Sequence, residues 1–301
     1  MVKKLVLLVV GVLMAALFAG CGNDAPKEQA GKKIQVVTSF NAMSEFAKAI
    51  GGDKVEVSTI IPDGTEPHDF ELKPENMKQL ATAQVFVYNG LGMEPWAQQA
   101  IDAAKNDKLV SVKASDGIDA IKNTDPDEIK EHGAEDPHAW LSLKNAKIEV
   151  KNIKDALVKV DPANKDYYEK NYNDYVAKLD AMIQKYEGQF AKAPHKNFVT
   201  GHAAFAYLCR DFGLEQNSVE DVFAEGEPNA AQLAKLIEYC KENKITTIFA
   251  EEMASPEVSK TLAQEVGAKV ETIYTIESKE DDKTYLERMD SNLTKILGSL
   301  Q

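Results

Sequence analysis

Histidine is the residue type with the clearest chemical potential in this 301-residue chain, which has five: His68, His132, His138, His195 and His202. His68, His138 and His202 stand where the hydrophobic pattern predicts loops that follow strands or precede helices. Neutral imidazole is a common zinc ligand, and three imidazoles with one carboxylate fill a tetrahedral site. No compact metal motif such as HExxH occurs, so the spacing alone leaves a structural role open for each histidine.

The elements that must position these residues form two similar halves. Short β-rich runs alternate with helical patterns in each half, which predicts an α/β fold with mainly parallel sheets flanked by helices. The predicted strands are 34–38, 54–61, 85–88 and 109–112 in the first half and 198–200, 216–219, 246–250 and 269–274 in the second. Parallel strands place ligand-binding groups at their carboxyl ends. His68 and His138 from the first half, and His202 and Glu277 from the second, would then face one cleft.

A different pattern separates the two halves. Residues 164–192 contain no proline, and apolar side chains recur at spacings of three and four, which predicts one long helix. The stripe comprises Tyr168, Tyr172, Tyr175, Leu179, Met182, Ile183, Tyr186 and Phe190. We therefore predict an N-terminal lobe at 33–160, a rigid linker helix within 161–194 and a C-terminal lobe at 195–301.

The N-terminus has the pattern of an export signal. Two lysines precede an apolar run from Leu5 to Phe18, and Ala19-Gly20-Cys21 follows. Cysteine directly after Ala-Gly resembles the lipobox of bacterial lipoproteins, which implies that residues 1–20 are removed and that Cys21 is lipidated. Polar residues 21–32 would form a stalk. Loss of Lys3 and Lys4 would change the formal charge from −13 to −15.

Composition excludes several classes of protein. Acidic residues outnumber basic ones 48 to 35, and the only arginines are Arg210 and Arg288, so nucleic acid is not an expected partner. Hydrophobic residues make up 44% of the chain, as in a globular protein. After Cys21, the remaining cysteines are Cys209 and Cys240, both on apolar helical faces, and we predict that they are unpaired.

Three histidine segments resemble the motifs of one family, the zinc- and manganese-binding receptor lipoproteins of bacterial ABC transporters. These segments are Pro67-His68-Asp69-Phe70-Glu71, Asp136-Pro137-His138-Ala139-Trp140-Leu141-Ser142 and Thr200-Gly201-His202-Ala203-Ala204-Phe205. The likeness runs from about Ile34 to Leu300 and includes Glu227-Pro228 and the closing Tyr285-Leu286-Glu287-Arg288-Met289 segment. The resemblance implies two α/β lobes joined by a backbone helix, with the metal held between them.

The resemblance also implies a ligand set of His68, His138, His202 and Glu277. Manganese members usually have an aspartate after the late strand, whereas this chain has Glu277 one position later, similar to certain zinc members. Manganese receptors generally replace the third histidine by a carboxylate. His202 therefore favours zinc over manganese, because nitrogen dominates the ligand set.

The predicted function is capture of zinc outside the cytoplasm and delivery to an ABC-type importer, without catalysis. The implied partners are a membrane permease and the lipid bilayer reached through Cys21, with a monomeric receptor on the outer face of the cytoplasmic membrane. A manganese receptor of the same family is the alternative. A zinc hydrolase with an open coordination position, with Glu66 or Asp69 as its base, is the alternative from another class, and an adhesin role stays open.

Other residues have lesser predicted roles. Asp69 and Asp136 are candidates to orient imidazoles, although helix capping would explain them equally well. Trp140 is predicted to lie in the core and could shield the site from water. The acidic loop 125–136 with its single histidine, His132, is predicted to be solvated, and His195 is predicted to lie on the surface.

Overall fold

The computed structural model describes residues 33–123, 129, 133–222, 224, 228–251 and 256–301. Lys33–Gln301 form one compact unit. Among the described residues, none of the helices combines the length and the apolar character needed to cross a bilayer. The predicted signal, the lipidated Cys21 and the stalk lie outside the described residues, as do His132 and most of the acidic loop.

The first half is built on a parallel four-stranded sheet, as the alternation of strands and helices predicted. Its strands are β1 (Ile34–Thr38), β2 (Val55–Thr59), β3 (Val85–Tyr88) and β4 (Val110–Lys113). They lie in the order β2-β1-β3-β4, and every pairing is parallel. The central strand β3 has three fully buried residues, Val85, Phe86 and Val87, because helices cover the sheet on both faces.

Among the described residues, the helices of this half are α1 (Asn41–Gly51), α2 (Pro74–Leu80), α3 (Ala97–Ala104) and α4 (Leu143–Val160). Helix α4 begins where Ser142 accepts a hydrogen bond from the Asn145 backbone N–H at 3.0 Å. A single 3₁₀ turn (Ala139–Leu141) comes immediately before it. His138 therefore lies at the entrance to a short, rigid connection rather than in a long loop.

The predicted long helix is α5 (Lys165–Lys192), which begins one residue after the start of the predicted segment and ends at the same residue. Tyr168, Tyr175, Leu179, Tyr186 and Phe190 of its stripe are buried. The other three stripe residues are partly buried and pack against the same core. The stripe is thus a core-facing surface of the helix.

The second half repeats the design of the first. Its elements are β5 (Asn197–Thr200), α6 (Ala206–Phe212), β6 (Glu215–Ser218), α7 (Ala230–Glu242), β7 (Thr247–Ala250), α8 (Pro256–Val266), β8 (Lys269–Thr272) and α9 (Tyr285–Ser299). The strand order β6-β5-β7-β8 is again parallel throughout. The two sheets have the same order, which confirms the α/β fold of two flanked parallel sheets.

Six of the eight predicted strands begin or end one or two residues away from the observed strands. The sequence pattern predicts a helix from Ala203 to Phe212, whereas helix α6 begins at Ala206; the Ala203 N–H donates to the Asp221 carbonyl, outside the helix. Strand β8 ends at Thr272 rather than Tyr274, since Tyr274 bonds to a side chain of α9 instead of to β7. Both shifts lengthen the segments that carry His202 and Glu277.

The two cysteines of the described region are unpaired, as predicted. Cys209 and Cys240 are both free and buried, and burial raises the pKa of the Cys240 thiol to about 11. One buried cluster includes residues of both sheets, such as Val36 and Phe249, together with Leu179 of α5. The lobe boundaries at 160 and 195 stay a prediction.

Candidate metal centre

The four predicted ligands come together in the structure. The ligand atoms of His68, His138, His202 and Glu277 all lie within 4.8 Å of one another. His138 Nε2 is 3.2 Å from Nε2 of His68 and also 3.2 Å from Nε2 of His202. Glu277 Oε1 is 3.4 Å from His138 Nε2, 3.7 Å from His202 Nε2 and 3.8 Å from His68 Nε2. Four donor atoms therefore surround one point.

Strand ends explain why the four meet. His68 follows β2, His202 follows β5 and Glu277 follows β8, while His138 precedes the 3₁₀ turn before α4. Since each sheet is parallel, the carboxyl ends of its strands share one edge. Two ligands come from each half of the chain, so the site links both halves.

Carboxylates orient two of the three imidazoles. His138 Nδ1 is 2.9 Å from Asp136 Oδ1, and His202 Nδ1 bonds to Glu251 Oε2. An imidazole that donates a hydrogen bond from Nδ1–H to a carboxylate keeps the lone pair on Nε2, and a metal ligand requires that lone pair. In both rings it is Nε2 that faces the centre. Asp136 thus has the orienting position predicted for it.

The two carboxylate oxygens of Glu277 have different surroundings: one bonds to the protein, and the other faces the centre. Thr275 Oγ1 donates to Oε2 at 2.8 Å. Oε1 is buried and has no hydrogen-bond partner among the described residues. An unpaired buried carboxylate oxygen costs free energy unless a donor or cation compensates it. Three imidazole Nε2 atoms within 3.8 Å of one buried carboxylate oxygen together fit a bound cation.

The spacing also fits a tetrahedral ion. With ligand bonds of about 2.0–2.1 Å, two tetrahedral ligands lie about 3.3 Å apart. The five nitrogen–nitrogen and nitrogen–oxygen distances above run from 3.2 to 3.8 Å. A shift of a few tenths of an ångström would bring the oxygen to ligand distance. A donor set of three imidazoles and one carboxylate suits zinc better than manganese.

The charges at the centre are strongly coupled. Burial lowers the pKa of His68 to about 4. Burial also opposes a charged His202, but the Glu251 and Glu277 carboxylates raise its pKa to about 10. The pKa of His138 is raised against the same burial penalty by Asp136 and Glu277. The facing histidines hold the pKa of buried Glu277 well below its usual range. Without metal, the centre therefore stores protons that a cation must displace.

Two predicted candidates lie at the margin of the site. Glu66 Oε1 accepts the His68 backbone N–H at 3.2 Å, and burial together with Glu277 raises the pKa of Glu66 to about 7. Asp69 is exposed and orients none of the three rings among the contacts of the described residues. The structure therefore does not place Asp69 in the orienting role considered for it.

The structure also shows where the two tryptophans and His195 lie. Trp140 is fully buried with its ring centroid 5.2 Å from that of His138, and its Nε1 donates to the Thr275 carbonyl at 2.7 Å. It therefore covers the site, as predicted. Trp96 also lies in the core. His195 is partly exposed, and its backbone N–H donates to the Leu300 carbonyl at 3.3 Å.

Glu251 is the functional residue that the sequence analysis missed. It directly follows β7, whose four residues are all buried, and is itself 5% exposed. A carboxylate at the carboxyl end of a buried parallel strand was the available signal. Its role depends on its contact with His202, which lies 49 residues earlier in the chain.

Comparison with known proteins connects this geometry to a family. Residues 36–298 match the model of the family described as ZnuA, the periplasmic component A of a zinc-uptake complex. The chain belongs to the ZnuA family. The match includes both sheets, α5 and all four converging residues, so it covers the described fold and the site together.

Individual ZnuA-family members are similar over almost their whole length. The high-affinity zinc uptake system protein ZnuA of Bacillus subtilis is 42% identical over 94% of this chain and 94% of that protein. The manganese ABC transporter substrate-binding lipoprotein PsaA of Streptococcus pneumoniae is 32% identical over 99% of both. The crystal structure of the metal-dependent lipoprotein YcdH of B. subtilis has 41% identity and a TM-score of 0.77, over 89% of this chain and 99% of that one.

Proposed function

We propose that this protein is the extracytoplasmic zinc receptor of an ABC-type importer, which captures the ion with His68, His138, His202 and Glu277. The observation that carries the proposal is Glu277 Oε1, a buried oxygen that has no hydrogen-bond partner among the described residues and faces three imidazole nitrogens. Zinc is the cargo, and capture rather than catalysis is the activity. Relatives named for zinc or manganese uptake support the same class.

Nitrogen-rich coordination favours zinc as the cargo. Neutral imidazole binds zinc well, whereas manganese prefers oxygen donors. The centre offers three nitrogens, and Asp136 and Glu251 engage the opposite ring nitrogens. Manganese is the second candidate because a manganese lipoprotein is among the relatives.

Delivery requires a membrane partner and an anchor. We propose that Cys21 carries the lipid that holds the receptor at the outer face of the cytoplasmic membrane, and that a permease receives the ion. The receptor would act as a monomer, with the lobes 33–160 and 195–301 joined by the helix within 161–194. Release then requires that the four ligands, two from each lobe, separate.

Metal titration of the lipid-free chain tests the proposal. Zinc and manganese are compared on the wild type, His202→Ala and Glu277→Ala, with folding checked by circular dichroism. We expect one tightly bound zinc, weaker manganese, and weaker zinc in both variants. Preference for manganese would overturn the choice of cargo. Unchanged zinc affinity in Glu277→Ala would leave a coordination position open and return the hydrolase alternative to consideration.

A further inference from the structure

Helix α9 holds the segment that carries Glu277 at two separate points. The Asn292 side chain accepts the Tyr274 N–H at 2.9 Å and donates to the Tyr274 carbonyl at 2.7 Å. Arg288 donates through Nε to Asp281 Oδ1 at 3.1 Å and through Nη2 to the Asp281 carbonyl at 2.8 Å. Residues 274–281, which we call the Glu277 segment, are therefore fixed at both ends by one helix.

Both holding residues are buried at a cost. Asn292 is 0% exposed and Arg288 is 1% exposed. Arg288 Nη1 has no hydrogen-bond partner among the described residues, although a buried guanidinium nitrogen without a partner is unfavourable. The two bonds to Asp281 are what compensates this buried guanidinium.

The backbone next to Glu277 is strained. Ile276 has a φ of +62°, a left-handed conformation that β-branched residues strongly disfavour. Of the described non-glycine residues with positive φ, Ile276 alone is β-branched. Such a conformation persists only where the surrounding contacts enforce it. The strain therefore indicates that the Glu277 segment is held in place rather than relaxed.

Contacts inside the segment explain how its ends control the carboxylate. The Trp140 indole donates to the Thr275 carbonyl, and the Asn41 N–H donates to the Glu277 carbonyl at 3.3 Å. Helix α9 fixes the two ends of the segment, and these contacts fix Thr275 and Glu277. The chain therefore turns at Ile276, and this turn directs the Glu277 side chain toward the histidines. If either end were released, fewer contacts would oppose the strain at Ile276, and the carboxylate would be held less firmly toward the histidines.

We infer that Arg288 and Asn292 are positioning residues for the metal: they hold both ends of the Glu277 segment and so keep Oε1 directed at the three histidines. The inference rests on the proposed function, since it concerns the fourth ligand of the same centre. Neither residue touches the centre. They act on the ion only through Glu277.

A double-mutant cycle separates positioning from a general structural role. Zinc affinity is measured by chelator competition for the wild type, Arg288→Met, Glu277→Ala and the double variant. We expect Arg288→Met alone to bind about ten-fold more weakly, the size of effect typical of residues that orient a ligand. In the Glu277→Ala background the same substitution should change affinity by less than about two-fold. Equal losses in both backgrounds would overturn the inference, as would unchanged zinc affinity in a folded Arg288→Met.

Matched controls lie on the same helix. Asp290→Ala removes contacts from α9 to Lys185 and Tyr186 of α5, away from the Glu277 segment, and should leave zinc affinity unchanged. Arg288→Lys keeps one donor and should lose less affinity than Arg288→Met. If Arg288→Met does not fold, Asn292→Ala replaces it in the same cycle.

A metal-free measurement distinguishes failure of the inference from failure of the proposed function. Trp140 is the reporter, because its indole N–H is bonded to the segment. In nuclear magnetic resonance spectra assigned with Trp96→Phe, Arg288→Met should shift the Trp140 indole signal, and Asp290→Ala should not. If the Trp140 signal shifts but the wild type does not bind zinc, the proposed function is wrong and the positioning role stands. An unshifted signal would overturn the positioning role.

Discussion

The residues of the centre differ in how tightly they hold protons. Burial keeps His68 neutral, whereas neighbouring carboxylates raise the pKa values of His138 and His202. The pKa of His202, about 10, lies well above neutral pH, so the metal-free protein holds a proton there that zinc must displace. Asp136 and Glu251 thus have two effects: they orient the rings, and they make binding compete with protonation.

Zinc binding should consequently release protons at pH 7 and weaken on acidification from about pH 7.5 to about pH 5.5, since protons compete for the imidazoles. Isothermal titration calorimetry in buffers of different ionisation enthalpy measures the number released. We expect at least about one proton per zinc. An affinity that is flat across this pH range would contradict the coupling described here.

Glu251→Gln tests the residue responsible for the high pKa of His202. Loss of the negative charge should lower that pKa, so fewer protons are released at pH 7. Corrected for proton competition, zinc affinity should fall by about ten-fold, because the ring loses its charged partner. The control is Asp69→Asn, an exposed carboxylate on the segment of His68. Equal proton release by Glu251→Gln and the wild type would show that Glu251 does not set the protonation of His202.

At the scale of elements, helix α4 carries a buried acid that the metal site does not use. Glu149 is 0% exposed, and neither carboxylate oxygen has a hydrogen-bond partner among the described residues. Burial, together with the charge of Glu94, raises the pKa of Glu149 to about 8. Glu94 is also buried and accepts the N–H groups of Asn89 and Gly90. Burial of the two acids makes the stability of this part of the core fall as pH rises above the usual carboxyl range.

The stability of the metal-free protein should therefore depend on Glu149. Its pKa is raised above the unfolded value of 4.5, so the folded state keeps a proton that the unfolded state has lost. Stability then falls as pH rises from about 4.5 to about 8, by up to about 1.4 kcal/mol per pH unit from this group. Glu149→Gln stays neutral and should gain in Tm relative to the wild type between pH 5 and pH 8. Parallel pH profiles would contradict this, and exposed Glu242→Gln supplies the surface control.

Helix α5 offers a test that is independent of pH. Gly188 lies in its last two turns, is exposed, and an added Cβ would meet nothing within 4 Å. Gly188→Ala should stabilise the protein by about 0.5–1 kcal/mol, because alanine loses less backbone entropy in a helix. Chemical denaturation measures the change, and zinc affinity should stay the same. A loss of stability would contradict this expectation, which rests on the open space around Gly188.

Strand and helix positions could be predicted from sequence because buried parallel strands are short apolar runs between helical patterns. The loops after β2 and β5 were therefore located closely enough to identify His68 and His202. The position of Glu251 after a buried strand was visible in the sequence, but its pairing with His202 and the left-handed conformation of Ile276 were not. Both depend on contacts with distant parts of the chain, Glu251 with His202 and the Ile276 turn with α9, and local pattern contains no information on such contacts.

At the scale of the whole molecule, the site depends on two sheets of the same strand order whose carboxyl ends share one centre. Each half supplies two ligands, and neither half alone provides a complete coordination sphere. One hydrophobic cluster includes residues of both sheets and of α5. Capture of the ion therefore adds bonds between halves that already share a core, which favours small movements over wide opening.

Crystallographic anomalous scattering at the zinc edge, on the zinc-loaded protein, tests the central claim most directly. We predict one strong peak about 2.0–2.2 Å from the Nε2 atoms of His68, His138 and His202 and from Glu277 Oε1. Glu66 should lie outside bonding distance. A peak elsewhere, or a zinc bound by the three histidines and a water while Glu277 points away, would contradict the four-ligand receptor.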